Sequence, residues 1–165
     1  MKIKAISIWQ PWASLIAVGA KQYETRSWAT SYRGPLLICA VLTGSRLGTK
    51  EYWHLLGTIG DNPFWTVLRF SLEHPTVLIT PDDIWRNLPF GQAVAIVELT
   101  DCFQITVNRC GKSLMQEIGS QEFIFGDFRR DRYAWKLENV RAIEPFPVKG
   151  RQGLFEVELP KGIEI

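Results

Sequence analysis

Lys21, Glu24 and Arg26 stand in a short polar stretch, GAKQYETR (residues 19–26), between two apolar segments. If Glu24 and Arg26 lie on a β-strand, their side chains share one face, because side chains alternate with a period of two. Lys21 is then close enough to pair with Glu24. The cations of such a cluster can hold a phosphate, while the glutamate orients them or accepts a hydrogen bond from the amine of a base. A desolvated lysine beside a second cation can instead have a lowered pKa and act as a base or nucleophile.

The composition of this stretch alone favours a solvated, ion-paired turn, which contributes about 0–1 kcal/mol to stability. The aromatic neighbours Trp12 and Trp28 favour a ligand site, although most of the seven tryptophans must belong to the core. A second basic and aromatic segment is FRRDRYAWK (residues 128–136). Cations interleaved with aromatic rings suit nucleic acid, because phosphates attract positive charge and bases stack on flat rings.

The residues predicted to contact nucleic acid are cations, polar side chains and tryptophans: Gln10, Trp12, Lys21, Glu24, Arg26, Trp28, Arg33, Trp135, Lys149, Arg151 and Gln152. The last three belong to the loop VKGRQG, where cations and backbone N–H groups can clamp a phosphate. If the protein is an enzyme, Lys21 and Glu24 are the catalytic candidates. The motifs GxSxG and HExxH and the P-loop are absent from the sequence, so the common hydrolase and nucleotide-binding signatures give no support to catalysis.

Length and composition predict one soluble globular domain over residues 1–165, with 46% hydrophobic and 22% charged residues. The sequence has no apolar run of about 18 residues and no signal-peptide pattern, so we expect no membrane association. Three widely spaced cysteines, an odd number, favour a reducing, cytoplasmic location over a disulfide framework. The two histidines are isolated from the cysteines, so we predict neither a metal site nor a cofactor. The oligomeric state is left open.

Positive charge is concentrated toward the two ends of the chain. Residues 1–50 carry seven Lys or Arg and one acidic residue, residues 51–126 carry four and nine, and residues 127–165 carry eight and seven. If the ends meet in space, one face of the protein is positive, which favours an anionic partner.

The pattern of apolar residues predicts the elements that must position these side chains. Strands are predicted at residues 2–8, 23–28, 35–42, 92–105, 132–143 and 154–160. Short helices are predicted at residues 10–19, 51–59, 62–73 and 114–118, and a short helix or a turn is predicted at residues 81–89. Because these helices do not alternate regularly with the strands, the order indicates an α+β fold with a mixed or antiparallel sheet that can curl into a β-barrel.

Several motifs together resemble the activating signal cointegrator homology (ASCH) domain family. Gly19, Lys21, Glu24 and Arg26 match its G-x-K-x-x-E-x-R motif, and the segments QPWA (10–13), RSW (26–28) and RGPL (33–36) match further elements. The segment YAWKLENVRAIEPFPVKGRQGLF is similar to small bacterial and phage members. The resemblance covers most of the chain and leaves residues 45–75 and 105–128 as inserts of unassigned role.

The resemblance implies a PUA-like β-barrel with short helices between the strands and with the motif in a cleft. It also implies binding of RNA, single-stranded nucleic acid or a modified nucleoside. One branch of the family would imply a hydrolase acting on N4-acetylcytidine, in which a lysine at position 21 works with a threonine three residues later and a distant glutamate. Glu24 stands where that threonine would be, and Glu117 and Glu122 are equal candidates for the distant residue.

Three hypotheses about function therefore stand side by side. The first is a nucleic-acid-binding module. The second is a hydrolase acting on N4-acetylcytidine or, as a ribonuclease, on RNA. The third is a protein-interaction domain that uses exposed aromatic residues.

Overall fold

The computed structural model describes residues 1–42, 64, 66–68 and 86–165. Its helices and strands are, in chain order, β1 (Lys2–Ile8), α1 (Trp12–Ala17), β2 (Tyr23–Arg26), β3 (Gly34–Ala40), β4 (Gln92–Gln104), α2 (Gly111–Ile118), α3 (Ser120–Phe125), β5 (Tyr133–Pro147) and β6 (Leu154–Glu158). Phe64 and residues 66–68 are also helical. The helix predicted at residues 51–59 lies outside the described residues, as do most of those predicted at 62–73 and 81–89.

The strands form a mixed six-stranded sheet in the order β2-β5-β4-β3-β1-β6. The pair β1 and β3 is parallel, and the other neighbours are antiparallel. The sheet and its short helices confirm the predicted α+β class. Strand β3 is apolar throughout because both of its faces are covered: Leu36 and Ile38 belong to one hydrophobic cluster, and Leu37 and Cys39 belong to another.

The sheet is curled, so that strand β2 at one edge approaches strand β1 near the other. Three strands separate β2 from β1 in the sheet order, and neighbouring strands are about 4.8 Å apart, so a flat sheet would hold the two about 19 Å from each other. Instead, Arg26 Nη2 donates a hydrogen bond of 2.7 Å to the backbone oxygen of Ser7. The ladders of the described residues include no pairing of β2 with β6, so the closed barrel stays a prediction.

Helix α1 covers the concave side of the curled sheet and ends just before the polar stretch. Its residues Ala13 and Ile16 pack into the same cluster as Trp135. Gly19 has a φ of +74°, which suits glycine just past a helix end. The N–H of Lys21 then donates to the backbone oxygen of Leu15 at 3.1 Å, so the end of the helix fixes the backbone position of Lys21.

Residues 108–127 were expected to form a loop with one short helix at 114–118. Helix α2 contains that predicted helix, and α3 follows it where a loop was expected. Glu122 and Phe125 are the buried residues of α3, and their spacing of three places them on one helix face. A buried glutamate does not register in an apolar pattern, which is why the sequence did not indicate this helix. No helix within the described ranges is long and apolar enough to cross a membrane.

Strand β5 also extends further than expected, through the segment EPFP to Pro147. Pro147 pairs with Gln92 of β4. Strand β2 is short, and its four residues pair with residues 133–136 of β5. The far half of β5 therefore has a strand on one side only among the described residues, and proline is tolerated where no N–H is needed on the other side.

Candidate functional site

Strand β2 places Glu24 and Arg26 on the same face, as predicted. Glu24 Oε1 lies 3.1 Å from Arg26 Nε, and Glu24 Oε2 lies 3.9 Å from Lys21 Nζ. The intervening residues Tyr23 and Thr25 face the other way, where Tyr23 packs against the cluster of Leu114 and Phe128, and Thr25 bonds the loop that follows α3. The three charged residues of the polar stretch therefore form one connected network.

Lys21 is the innermost member of this network, with a side chain only 1% exposed. Its Nζ donates a hydrogen bond to the backbone oxygen of Tyr23 and lies 3.7 Å from Glu122 Oε1. Burial lowers the pKa of Lys21, while the carboxylates of Glu24 and Glu122 act in the opposite direction. Lys21 therefore ties helix α3 to strand β2 from inside the molecule.

Glu122 is the second buried carboxylate of the network. It accepts hydrogen bonds from the backbone N–H groups of Gln22 at 2.7 Å and Tyr23 at 2.9 Å. Burial raises its pKa, against the effects of the Lys21 charge and of these two hydrogen bonds. Glu117, the other candidate in the sequence, pairs with Arg109 at the surface. Of these two glutamates, Glu122 is the one that lies beside Lys21.

A cavity of about 530 Å³ opens where β2 approaches β1, and it is referred to below as the seam cavity. Ten residues line it: Ile6, Ser7, Trp9, Arg26, Trp28, Val41 and residues 150–153. Its volume falls within the range of about 300–1,000 Å³ that is usual for small-molecule sites. Since β1 and β3 are parallel, their carboxyl ends meet at one edge of the sheet, and Trp9 and Val41 directly follow them into the cavity.

Ser7 joins the two cationic walls of the seam cavity. Its backbone oxygen accepts the hydrogen bond from Arg26, and its Oγ accepts one from the backbone N–H of Arg151 at 3.1 Å. A Cβ atom at Gly150 would lie 2.8 Å from Ser7 Oγ, so the glycine allows this close approach of the loop.

The charged side chains that line the seam cavity are cations. Among the described residues, its lining contains Arg26 and Arg151 and no carboxylate. The Arg26 side chain is 21% exposed, so its guanidinium can also donate to a ligand. The cavity is thus suited to an anionic group.

Two half-buried tryptophans, Trp9 and Trp28, supply the aromatic walls. The ring of Trp28 meets that of Trp135 edge to face, with centroids 4.6 Å apart and planes at 88°. Trp135 is fully buried, and its Nε1 donates to the backbone oxygen of Trp28 at 3.3 Å. Trp135 therefore holds the Trp28 segment in place from the core.

Of the predicted contact residues, the structure brings Arg26, Trp28, Arg151 and Gln152 together in the seam cavity. Lys149 is exposed beside the same loop but does not line the cavity. Lys21 and Glu24, described above, lie behind Arg26 rather than in the lining.

The remaining predicted residues lie elsewhere. Gln10 is 1% exposed, and its Oε1 accepts a hydrogen bond from the N–H of Ser14 within α1. Trp12 packs edge to face against Phe64, with centroids 6.2 Å apart. Arg33 is exposed and lies 3.4 Å from Asp101. The structure gives these three side chains local packing or surface contacts, outside the cavity.

Sequence reasoning did not select Ser7, Trp9, Val41 or Gly150, although all four line the seam cavity. Trp9 stands directly before the QPWA segment, and this position next to a family motif could have marked it as a site residue. Ser7 and Val41 offered none, because their role depends on the curl of the sheet. As for metals, residues 1–42 and 86–165 contain no group of three or more His, Cys, Asp or Glu side chains placed to hold an ion.

A curled mixed sheet with a positive, tryptophan-walled cavity at its seam defines this chain as a small α+β domain with a ligand-sized site. The model of the ASCH domain matches residues 6–147, and the chain belongs to the ASCH domain family. The resemblance drawn from the sequence motifs is thereby confirmed.

Two curated relatives carry the name activating signal cointegrator 1. The protein of Mus musculus is 36% identical and that of Homo sapiens is 54% identical, each over 98 residues, which make up 59% of this chain and 14% of the relative. The aligned part of the chain therefore spans only a small fraction of the length of these relatives.

A solved structure has a similar fold. The crystal structure of a mutant of the protein ZmASCH from Zymomonas mobilis matches with a TM-score of 0.51 and 14% sequence identity. The match covers 94% of this chain and 89% of the other. At this identity the match establishes a shared fold.

Proposed function

We propose that this protein binds RNA or single-stranded nucleic acid and holds a nucleotide in the seam cavity. The observation that carries the proposal is the convergence of Arg26, Arg151, Trp9 and Trp28 on one cavity of about 530 Å³. Guanidinium groups match the geometry of phosphate oxygens. A base stacked on an aromatic side chain contributes about 1–3 kcal/mol to binding. Membership of the ASCH family supports the same class of ligand.

The residues of the site have separate roles in this proposal. Arg26 and the backbone of the 150–153 loop bind phosphate, and Trp9 or Trp28 stacks on the base. Gln152 can both donate to and accept from a base edge through its amide. Glu24 does not touch the ligand, because it lies 3.1 Å from Arg26 Nε and orients that guanidinium.

Fluorescence anisotropy with a labelled single-stranded RNA of about ten nucleotides tests this proposal. We expect Arg26→Ala to weaken binding about tenfold or more and to reduce the slope of log affinity against log salt by about 0.7, the value for one phosphate contact in a single strand. The matched control is Lys4→Ala, which removes one exposed charge that is paired with Glu156 at 3.3 Å outside the cavity. The control should bind like the unchanged protein. Absence of binding at low salt, or equal binding by Arg26→Ala, would overturn the proposal.

A hydrolase is the second candidate, favoured by one observation: Lys21, whose pKa burial lowers, lies between the carboxylates of Glu24 and Glu122. A neutral lysine can take a proton from water. The resulting hydroxide adds to the amide carbonyl of N4-acetylcytidine. The lysine then returns the proton to the N4 nitrogen, and the C–N bond breaks to release cytidine and acetic acid.

Incubation of the protein with N4-acetylcytidine, and separately with RNA, decides between binding and hydrolysis. Because the Lys21 side chain is 1% exposed and is not part of the cavity lining, we expect both substrates to be recovered intact. Cytidine or RNA fragments formed by the unchanged protein, and lost in a Lys21→Met variant that circular dichroism shows to be folded, would establish the hydrolase instead.

The third hypothesis, an exposed aromatic patch for protein binding, receives no support from the described residues. Their exposed large hydrophobic side chains are aliphatic: Met1, Val18, Leu42, Val107, Ile124 and Ile165. The aromatic residues in the same part of the chain are half-buried or buried.

A further inference from the structure

The basic and aromatic segment at residues 128–132 lies away from the seam cavity, beside the opposite face of β2. A second cavity of about 490 Å³ runs along it, with walls that include Cys110, Phe123, Asp127, Phe128, Arg129 and Arg130. It is referred to below as the Phe123 groove. None of these residues lines the seam cavity.

We infer that the Phe123 groove is a second nucleotide subsite, which takes the phosphate and the base of another nucleotide of the same single strand. This inference rests on the proposed function of the seam cavity. The ligand class is a single-stranded nucleic acid longer than the cavity itself can hold.

The groove has an aromatic wall of the kind on which bases stack. The rings of Phe123 and Phe128 are themselves stacked, with centroids 5.3 Å apart and planes at 15°. Phe128 is buried and supports Phe123, which is half-buried and lines the groove. A Cβ atom at Gly126 would lie 2.3 Å from the Phe128 ring, so the backbone passes directly against this ring. Base stacking on such rings tolerates any sequence, since every base has a π-face.

The groove also has cations that a phosphate can reach. Arg130 is exposed and forms no ion pair with any described residue. Arg129, with a side chain 81% exposed, is held by Asp127 through hydrogen bonds of 2.7 and 2.6 Å. Asp127 also lies 3.4 Å from Arg132 Nε, so it keeps a cationic partner if Arg129 turns to a phosphate. Two arginines and one aspartate leave the lining positive.

The two sites contact consecutive residues of one strand. Arg26 lines the seam cavity, and Thr25 Oγ1 on the opposite face of β2 accepts a hydrogen bond from the N–H of Asp127 at 3.0 Å. Arg132 Nη2 also donates to the backbone oxygen of Thr25 at 3.1 Å, so a second hydrogen bond joins this segment to β2. A nucleic-acid strand that crosses β2 therefore passes from one site to the other.

Anisotropy measurements with ligands of two lengths test the second subsite. For a single-stranded RNA of about ten nucleotides, we expect Arg129→Ala with Arg130→Ala to weaken binding about tenfold or more and to reduce the salt slope by about 1.4, the value for two phosphate contacts. Phe123→Leu, which keeps an apolar side chain against Phe128, should weaken the same binding about fivefold or more. Binding of a labelled dinucleotide should be unchanged in both variants, because it fills the seam cavity alone.

The control is Lys2→Ala with Lys4→Ala, which removes the same amount of charge from exposed positions on β1. Three results would overturn the second subsite. The control could lose as much affinity for the longer RNA as the Arg129/Arg130 variant does, that variant could lose as much affinity for the dinucleotide as for the longer RNA, or it could bind the longer RNA like the unchanged protein. If Arg26→Ala weakens binding while the Arg129/Arg130 variant does not, only the second subsite falls. If the unchanged protein binds no single strand, both proposals fall.

Discussion

Lys21 carries its charge into the interior of the molecule, where its Nζ lies 3.9 Å from Glu24 and 3.7 Å from Glu122. A cation enclosed in this way compensates the buried carboxylate of Glu122 and the half-buried carboxylate of Glu24. Its removal leaves Glu122 without a cationic partner among the described residues, while Glu24 keeps Arg26. The G-x-K-x-x-E-x-R motif thus combines two roles. Lys21 stabilises the site from within, and Arg26 presents a guanidinium to the seam cavity.

Replacement of Lys21 is therefore expected to act on stability. We predict that Lys21→Met lowers the free energy of unfolding by about 3–5 kcal/mol, the usual cost of breaking a buried ion pair by removing one partner. Lys21→Met combined with Glu122→Gln should cost less than the sum of the two single variants, because they share one interaction. Urea denaturation measures both quantities. The control, Lys4→Met at an exposed pair, should cost about 0–1 kcal/mol, and an equally small cost for Lys21→Met would contradict the structural role.

The cost of losing Lys21 should also depend on pH. Without this cation, the pKa of Glu122, already raised by burial, rises further. A carboxyl whose folded pKa is raised stabilises the folded state below its unfolded pKa, and this stability is lost as pH rises through the folded pKa. Lys21→Met should therefore be less destabilised, relative to the unchanged protein, at about pH 5 than at about pH 8. Adding Glu122→Gln should abolish the difference, and a cost that is equal at both pH values would exclude this account.

Cys39 is predicted to be unreactive while the protein is folded. It is 1% exposed in β3, and burial raises its pKa to about 12, so its thiolate is scarce at ordinary pH. Cys102 and Cys110 are half-buried. Iodoacetamide at about pH 8 should label these two and spare Cys39 until urea is added. Peptide mass spectrometry measures the labelling, and labelling of Cys39 at the same rate in the folded protein would show that β3 is not buried as described.

At the scale of elements, local signals predicted the strands and helix that carry the motif. Pro11 and Gly19 mark the two ends of α1, and the apolar run from Pro35 predicts the doubly covered strand β3. Helix α3 was not predicted, because one of its two buried residues is Glu122. Its burial depends on Lys21 and on backbone N–H groups about a hundred positions away in the sequence, and periodicity cannot report such contacts.

Helix α3 is expected to hold the start of β2 in place through Glu122. We predict that Glu122→Ala accelerates hydrogen exchange at the amides of Gln22 and Tyr23, which lose their acceptor. Exchange at Leu37, in the centre of the sheet, should change only by the loss of global stability. Exchange measured by NMR separates the two effects, and equal acceleration at all three amides would contradict a local anchor.

At the scale of the whole molecule, the seam cavity exists because the sheet curls. Ser7 lies in β1 and Trp9 directly follows that strand. Arg26 ends β2 and Trp28 lies two residues later, while the 150–153 loop precedes β6. Four of the residues that the sequence predicted, Arg26, Trp28, Arg151 and Gln152, lie in the lining of this cavity. The strand order and the curl of the sheet determine which of the predicted residues lie together. No local sequence pattern specifies the strand order or the curl.

The most direct test of the central claim, that a nucleotide occupies the seam cavity, is a ¹H–¹⁵N NMR titration with a short single-stranded RNA. We predict that the largest shifts fall on the amides of Ser7 and residues 150–153 and on the indole N–H groups of Trp9 and Trp28. The Arg26→Ala variant should show these shifts only at higher ligand concentration. The amide of Lys4, at the far end of β1, should not move. Shifts that leave the lining of the cavity unchanged, or no shifts at low salt, would contradict the account.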